Sequence, residues 1–246
     1  MSRPFDSPLA GRDIATGRGT CHRGGQHLRQ VWRRGIAPAM AEPTIEALFP
    51  TLVYRAGIAA ADGRLNGEIA AAARQLADED RDGIDWCRSH FYPGYTSYGS
   101  LPDLPERSAV FAKLARLIER HAMAFAKALH WDLRGGKPIV DTLWVNVLPE
   151  GGSHSSHLHT NACLSGTYYV TAPEGAGPIV FEDPRHAMLM AAPPRKSSAP
   201  REMRTYVSEP ATPGTLLLWE SYLRHEVPLN RARGERISVS FNLVIG

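Results

Sequence analysis

Residues 138–182 read PIVDTLWVNVLPEGGSHSSHLHTNACLSGTYYVTAPEGAGPIVFE. Short runs of Val, Ile, Leu, Tyr and Trp are separated by Pro, Gly and Asn, the texture of strands joined by tight turns. The pattern predicts strands over 139–148, 164–171 and 177–182, and the chain continues in the same style with candidates at 204–208, 214–219 and 236–245. The connection over 184–203 is rich in Pro, Ser and Arg and contains HAMLMAAPP. It is too long for a plain turn and reads as a lid or a functional loop.

Three of the chain's 10 histidines crowd into HSSHLHT: His154, His157 and His159. In an extended chain residues i and i+2 share a face, so His157 and His159 can chelate one metal from a single strand edge. His154, at odd spacing from His157, is expected on the opposite face unless a turn intervenes. A third ligand must come from elsewhere, and WESYLRHEV offers His225 just after the apolar run GTLLLW. An HxH pair alone suits exposed or core histidines as well as ligands, so the neighbours matter. Arg236 opens the strand RISVSFN that follows His225. From there a guanidinium can grip a carboxylate with a two-pronged hydrogen bond, the alternative being a solvated strand-end charge.

Upstream the periodicity changes. TIEALFPTLVYRAGI alternates apolar and polar residues and contains Pro50, which suits an edge strand. Between Leu65 and Asp80, Leu65, Ile69, Ala72 and Leu76 recur at helical spacing among strong helix formers, with Asp82-Gly83 expected to break the helix. Residues 88–102, beginning RSHFYPGYTSYGSL, read as an aromatic loop; Tyr92, Tyr95 and Tyr98 either frame an entrance or pack within the loop. A second helix is expected from about Glu106 to His130, with Val110, Leu114, Leu117, Ile118, His121, Phe125 and Leu129 on one face and Arg134-Gly135-Gly136 ending the segment. Helices followed by short strands give an α+β fold class: a double-stranded β-helix (jelly-roll, cupin-like) with the N-terminal helices packed on one sheet.

Composition narrows the function classes. A hydrophobic share of 43% and a charged share of 22% are ordinary for a globular chain. No apolar run reaches the roughly eighteen residues a membrane helix needs. Cys21, Cys87 and Cys163 are odd in number and scattered, which favours a reducing, cytoplasmic setting over a disulfide framework. The net charge of +3 is uneven: residues 1–40 hold seven arginines against two aspartates, +5, leaving −2 for the rest. A folded body of that sign disfavours nucleic acid as a partner. Residues 1–42 read as a disordered basic extension, too poor in apolar surface to offset the entropy of ordering. Three readings stay open for it: translation from Met40, a basic arm, or a transit peptide. The domain proper is expected over 43–246, and a homodimer is left open.

The strings HLHTNACLSGTYYV, GPIVFEDPR, PGTLLLWESYLRHEVPLN and RISVSFN, in that order, resemble the 2-oxoglutarate/iron(II) oxygenases distantly similar to prolyl 4-hydroxylases. LFPTLVY and GYTSYGSL fit the same family, so the resemblance covers roughly Thr44 to Gly246. It implies iron(II) held by His157, His159 and His225, Arg236 on the C5 carboxylate of 2-oxoglutarate, and decarboxylation of that co-substrate coupled to oxidation by O2, most simply a hydroxylation. The superfamily's usual ligand set is two histidines and a carboxylate; here histidine stands where the acid is expected. Three-histidine sites also serve zinc and oxygenases without 2-oxoglutarate. The competing function is therefore a cupin-like metal-binding module or zinc hydrolase, with a degenerate barrel as a further alternative. Arg236 argues for the oxoacid. Asn146, Asn242, Tyr169 and Ser165 are candidates to hydrogen-bond the co-substrate or a ligand, while Trp144, Trp219 and Phe241 read as core. Nothing in the sequence selects the substrate to be oxidised.

Overall fold

The structure is a computed structural model that describes residues 43–58 and 64–246. The extension expected over 1–42 lies outside the described residues. Residues 43–48 belong to a separate unit and carry no helix or strand, and residues 49–246 form the second unit.

In that unit the β-branched and aromatic runs become β1 (Val53–Gly57), β2 (Tyr95–Thr96), β3 (Pro138–Leu148), β4 (His154–His157), β5 (Leu164–Thr171), β6 (Ile179–Glu182), β7 (Tyr206–Glu209), β8 (Thr215–Glu220), β9 (His225–Val227) and β10 (Arg236–Ile245). They pair antiparallel in two sheets, ordered β1-β8-β5-β10-β3-β2 and β4-β9-β6-β7. β3 pairs with β10, β4 with β9, β5 with β8 and β6 with β7. The pairs nest, first with last, down to the β6–β7 pair. As expected from its proline, the stretch after Pro50 supplies an edge strand, β1.

The helices are α1 (Arg64–Glu79), α2 (Arg81–Ser89), α3 (Leu104–Arg107) and α4 (Ala109–Ala128), and their sheet contacts fall on strands of the six-stranded sheet. Leu65 and Ile69 of α1 and Phe111, Leu114, Ile118 and Phe125 of α4 are buried with Val145, Val239 and Phe241 of the sheet in one apolar cluster. His121 does not stray from this face: its Nδ1 meets the Tyr54 hydroxyl of β1 at 2.8 Å, tying the edge strand to α4. A smaller cluster of Tyr169, Ile179, Phe181, Leu217, Trp219 and Leu223 joins residues of both sheets.

Three expectations need correction. Asp82-Gly83 does not break a helix; α1 stops at Glu79, and the Asp80 side chain accepts from the Gly83 amide at 3.0 Å, capping α2, which contains both residues. The aromatic stretch is not all loop, since α2 runs to Ser89 and Tyr95–Thr96 pairs with β3. The second long helix is two: Pro105 sits in the first turn of α3, and Ser108 is extended (φ −144°, ψ 127°) before α4 begins.

Candidate metal centre

Two short strands bring the distant histidines together. β4 and β9 pair so that His157 faces His225 across the ladder. His159 lies beyond the end of β4, where its amide donates to the Ser221 carbonyl at 3.1 Å. Ligating nitrogens of His157, His159 and His225 lie within 4.8 Å of one another, and among the described residues no acid or cysteine joins the group. The ring centroids are 4.4 Å apart for His157–His225 and 5.3 Å for both other pairs.

The local backbone orients two of these rings. His157 Nδ1 is 2.7 Å from the Ser155 carbonyl and His225 Nδ1 is 2.9 Å from that of Leu223. A carbonyl only accepts, so each Nδ1 carries a proton, which leaves Nε2 as the nitrogen available to a metal. Burial, then the charge of neighbouring His157, pushes His225 down to about 3 and His159 to about 4, with Asn242 hydrogen-bonded to His159 acting the other way. Both rings are therefore neutral at pH 7, the form that binds metal. Asn242 in turn accepts from Ser165 at 2.8 Å, and Ser165 shares a 2.7 Å hydrogen bond with Ser221.

Arg236 begins β10 and is 2% exposed. Strand alternation sends Arg236, Ser238, Ser240 and Asn242 into a cavity of about 630 Å³ that also holds the three histidines. The guanidinium donates from Nη1 to Ser238 Oγ at 3.2 Å and sits 5.1 Å from the Tyr169 ring centre. Its Nε has no partner among the described residues, its interactions being with Ser238 and with Tyr169, and none of the described carboxylates pairs with it. Burial pushes the Tyr169 phenol up to about 12, with Arg236 pulling it back. A buried, uncompensated cation is costly and calls for an anion. The residues thus fit what the resemblance implies: three convergent imidazoles for one ion, and one guanidinium without a counter-charge for a carboxylate.

The other candidates fall in different places. Asn146 lines the cavity, accepting from Thr96 Oγ1 at 2.8 Å and donating to Ser240 Oγ at 3.0 Å. Tyr169 sits behind Arg236 in the smaller apolar cluster and is not among the cavity-lining residues. Phe241, Trp144 and Trp219 are buried as expected, but the two tryptophans also line the cavity, Trp144 stacked on His159 at 5.9 Å and Trp219 edge-on to His225 at 4.8 Å. His154, expected on the opposite face, lines the same cavity, because the β4–β9 register shifts between His154 and His157. The irregularity breaks the two-residue alternation on which that expectation rested. Tyr92 was visible only as part of an aromatic loop; its hydroxyl meets His154 Nε2 at 2.6 Å. No sequence signal links residues so far apart in the chain. The aromatic stretch itself is pinned by Asp80, which accepts from the hydroxyls of Tyr95 at 2.7 Å and Ser100 at 2.5 Å. At Gly99 a Cβ would come within 2.6 Å of the Trp86 ring, so this position requires the bare backbone.

Residues 142–242, which include the three histidines and Arg236, match the family model described as "Putative 2OG-Fe(II) oxygenase". No curated protein matches significantly. Among solved structures, the epimerase SnoN, in complex with Fe3+, alpha ketoglutarate and nogalamycin RO, is 15% identical over 79% of each chain, with a TM-score of 0.55. A Pseudomonas putida prolyl-4-hydroxylase is 13% identical over 79% of this chain and 92% of its own, with a TM-score of 0.51. At such identities these likenesses speak for the fold, and it is the segment 142–242 that is similar to the 2OG-Fe(II) oxygenase family model.

Proposed function

We propose that His157, His159 and His225 hold the iron(II) of a 2-oxoglutarate-dependent oxygenase and that Arg236 receives the far carboxylate of 2-oxoglutarate. The activity class is supported by the match of residues 142–242 to the 2OG-Fe(II) oxygenase model; the residue roles, and hydroxylation as the outcome, rest on the geometry of the site. The observation that carries it is the unpaired, buried Arg236 facing the same cavity as three convergent histidines. We also read β3–β10 as a double-stranded β-helix, or jelly-roll, supported by the nested pairing. A reducing compartment such as the cytoplasm fits the free Cys87 and Cys163, and no described helix is long and apolar enough to cross a membrane.

Bound together, iron(II) and 2-oxoglutarate supply oxidative decarboxylation by O2 to succinate and CO2, with the second oxygen atom going to the substrate. The chain's own residues set the stage. The Ser155 and Leu223 carbonyls fix the tautomers of His157 and His225. Asn242 steadies His159. Imidazole ligands bring no negative charge, so the +2 of iron would stay uncompensated and favour a dianionic partner, whose remote carboxylate Arg236 would hold. Trp144 packs on the His159 ring and Trp219 on that of His225, covering one side of each.

Anaerobic addition of iron(II) and then 2-oxoglutarate should produce the weak visible charge-transfer band of a chelated oxoacid. Arg236→Ala should weaken 2-oxoglutarate binding by about thirtyfold or more, the scale of losing a buried charge partner. Tight binding of zinc with no uptake of iron or 2-oxoglutarate would sink the proposal.

A further inference from the structure

The cavity is larger than the co-substrate needs, and its outer part has a distinct chemistry. From the metal outward runs a series of rings: Trp144 stacks on His159, Tyr98 meets Trp144 edge-on at 5.0 Å, and Trp86 meets Tyr98 edge-on at 6.4 Å. His90 closes the series, stacked on Trp86 at 4.2 Å. At the rim stands Phe91, 93% exposed and held at φ 52°, a backbone conformation that costs a bulky residue free energy and that recurs at binding sites. Neutral polar groups of Ser155, Thr160 and Asn161 also line the cavity. Among the described residues its lining includes no Asp, Glu or Lys, and its one guanidinium, Arg236, is buried and is the group proposed for the co-substrate carboxylate.

We infer that the outer cleft takes an uncharged aromatic compound bearing neutral polar groups as the molecule to be oxidised. This substrate class rests on the oxygenase reading. Alternating faces and edges are the surface that a further aromatic ring extends, because ring quadrupoles favour offset and edge-to-face contacts. The outer lining offers no Asp, Glu, Lys or Arg to pair with a charged group, which works against free amino acids, nucleotides and sugar phosphates. A volume of about 630 Å³ accommodates a fused-ring compound beside 2-oxoglutarate.

The test is calorimetric titration of the full chain with 2-naphthol, the saturated alcohol 2-decalol, naphthalene-2-sulfonate and 2-naphthylmethylammonium. Each is run without metal, and again with zinc and saturating 2-oxoglutarate. With 2-oxoglutarate present, 2-naphthol should bind about fivefold tighter than 2-decalol and about tenfold tighter than either ion. Its affinity should be similar in the metal-free protein. Phe91→Gly and Tyr98→Ala should each weaken it by about threefold or more. Glycine suits φ 52°, so Phe91→Gly removes the ring without burdening the fold. Equal binding of 2-decalol, tighter binding of an ion beside 2-oxoglutarate, or wild-type affinity in both variants would overturn the inference. If 2-oxoglutarate fails to bind while 2-naphthol binds as expected, the oxygenase reading falls and the aromatic cleft stands. If 2-oxoglutarate binds and 2-naphthol does not, the cleft inference alone falls.

Discussion

On one face of β10, Ile237, Val239, Phe241 and Leu243 are fully buried in the cluster shared with the helices. On the other, Arg236, Ser238, Ser240 and Asn242 line the cavity. Burial alone does not separate the two faces: Ser240 and Asn242 are half-buried, but Arg236 is 2% exposed against 0% for Phe241. Satisfaction does. Phe241 needs only close neighbours and has them, whereas Arg236 has an Nε without a partner and no carboxylate beside it. One face holds the sheet to its helices, and the other spends part of that stability on keeping a cation ready for a ligand.

The contrast is broken most forcefully on the apolar side. Phe241→Ala should cost about 3–5 kcal/mol in urea unfolding, while the folded fraction keeps its affinity for 2-oxoglutarate. Replacing the cation does the reverse. Arg236→Met should leave stability unchanged or raise it by up to about 3 kcal/mol, because it removes an uncompensated buried charge, while abolishing the 2-oxoglutarate dependence of the spectrum. A drop in stability as large as that of Phe241→Ala would erase the distinction between the faces.

A smaller effect comes from acid. The folded state holds His225 near 3, against about 6.5 in the unfolded chain. As pH falls below about 6.5 the unfolded chain takes up a proton that the fold refuses, so stability is greatest above that pH and declines toward 3. At pH 5 the metal-free protein should have lost about 2 kcal/mol through His225 alone, readable as a falling denaturation midpoint between pH 7 and 5. A flat midpoint over that range would mean that His225 is not held neutral by its surroundings.

How much of this was legible in the sequence follows the same division. The strands β3, β5, β8 and β10 were readable because long apolar runs with strong β-formers leave little alternative. β4 and β9, the strands that carry His157 and His225, were not, being four and three residues long and polar. No periodicity can declare itself over so few positions. The ligands were found by residue type and spacing, not by the elements that hold them. The restart of helix at Arg81 was hidden because Asp80 looks like a helix stop when read from α1 and like a cap when read from α2. The Tyr92–His154 contact and the placement of Trp144 against His159 depend on tertiary packing, which no local pattern encodes.

The register shift between His154 and His157 bears on how this site tolerates change in chain length. In a strict ladder, removing one residue exchanges inside for outside along everything that follows. The irregularity lies in the Ser155-Ser156 link, so the segment is already out of phase with itself. Deleting Ser156 would restore the regular alternation and leave His154 and His157 two places apart. Residues two places apart share a face, so both histidines would still be directed at the cavity. The Ser155-Ser156 link is therefore where the segment can lose a residue most readily, whereas loss of Leu158 would make His157 and His159 adjacent and turn one of them away.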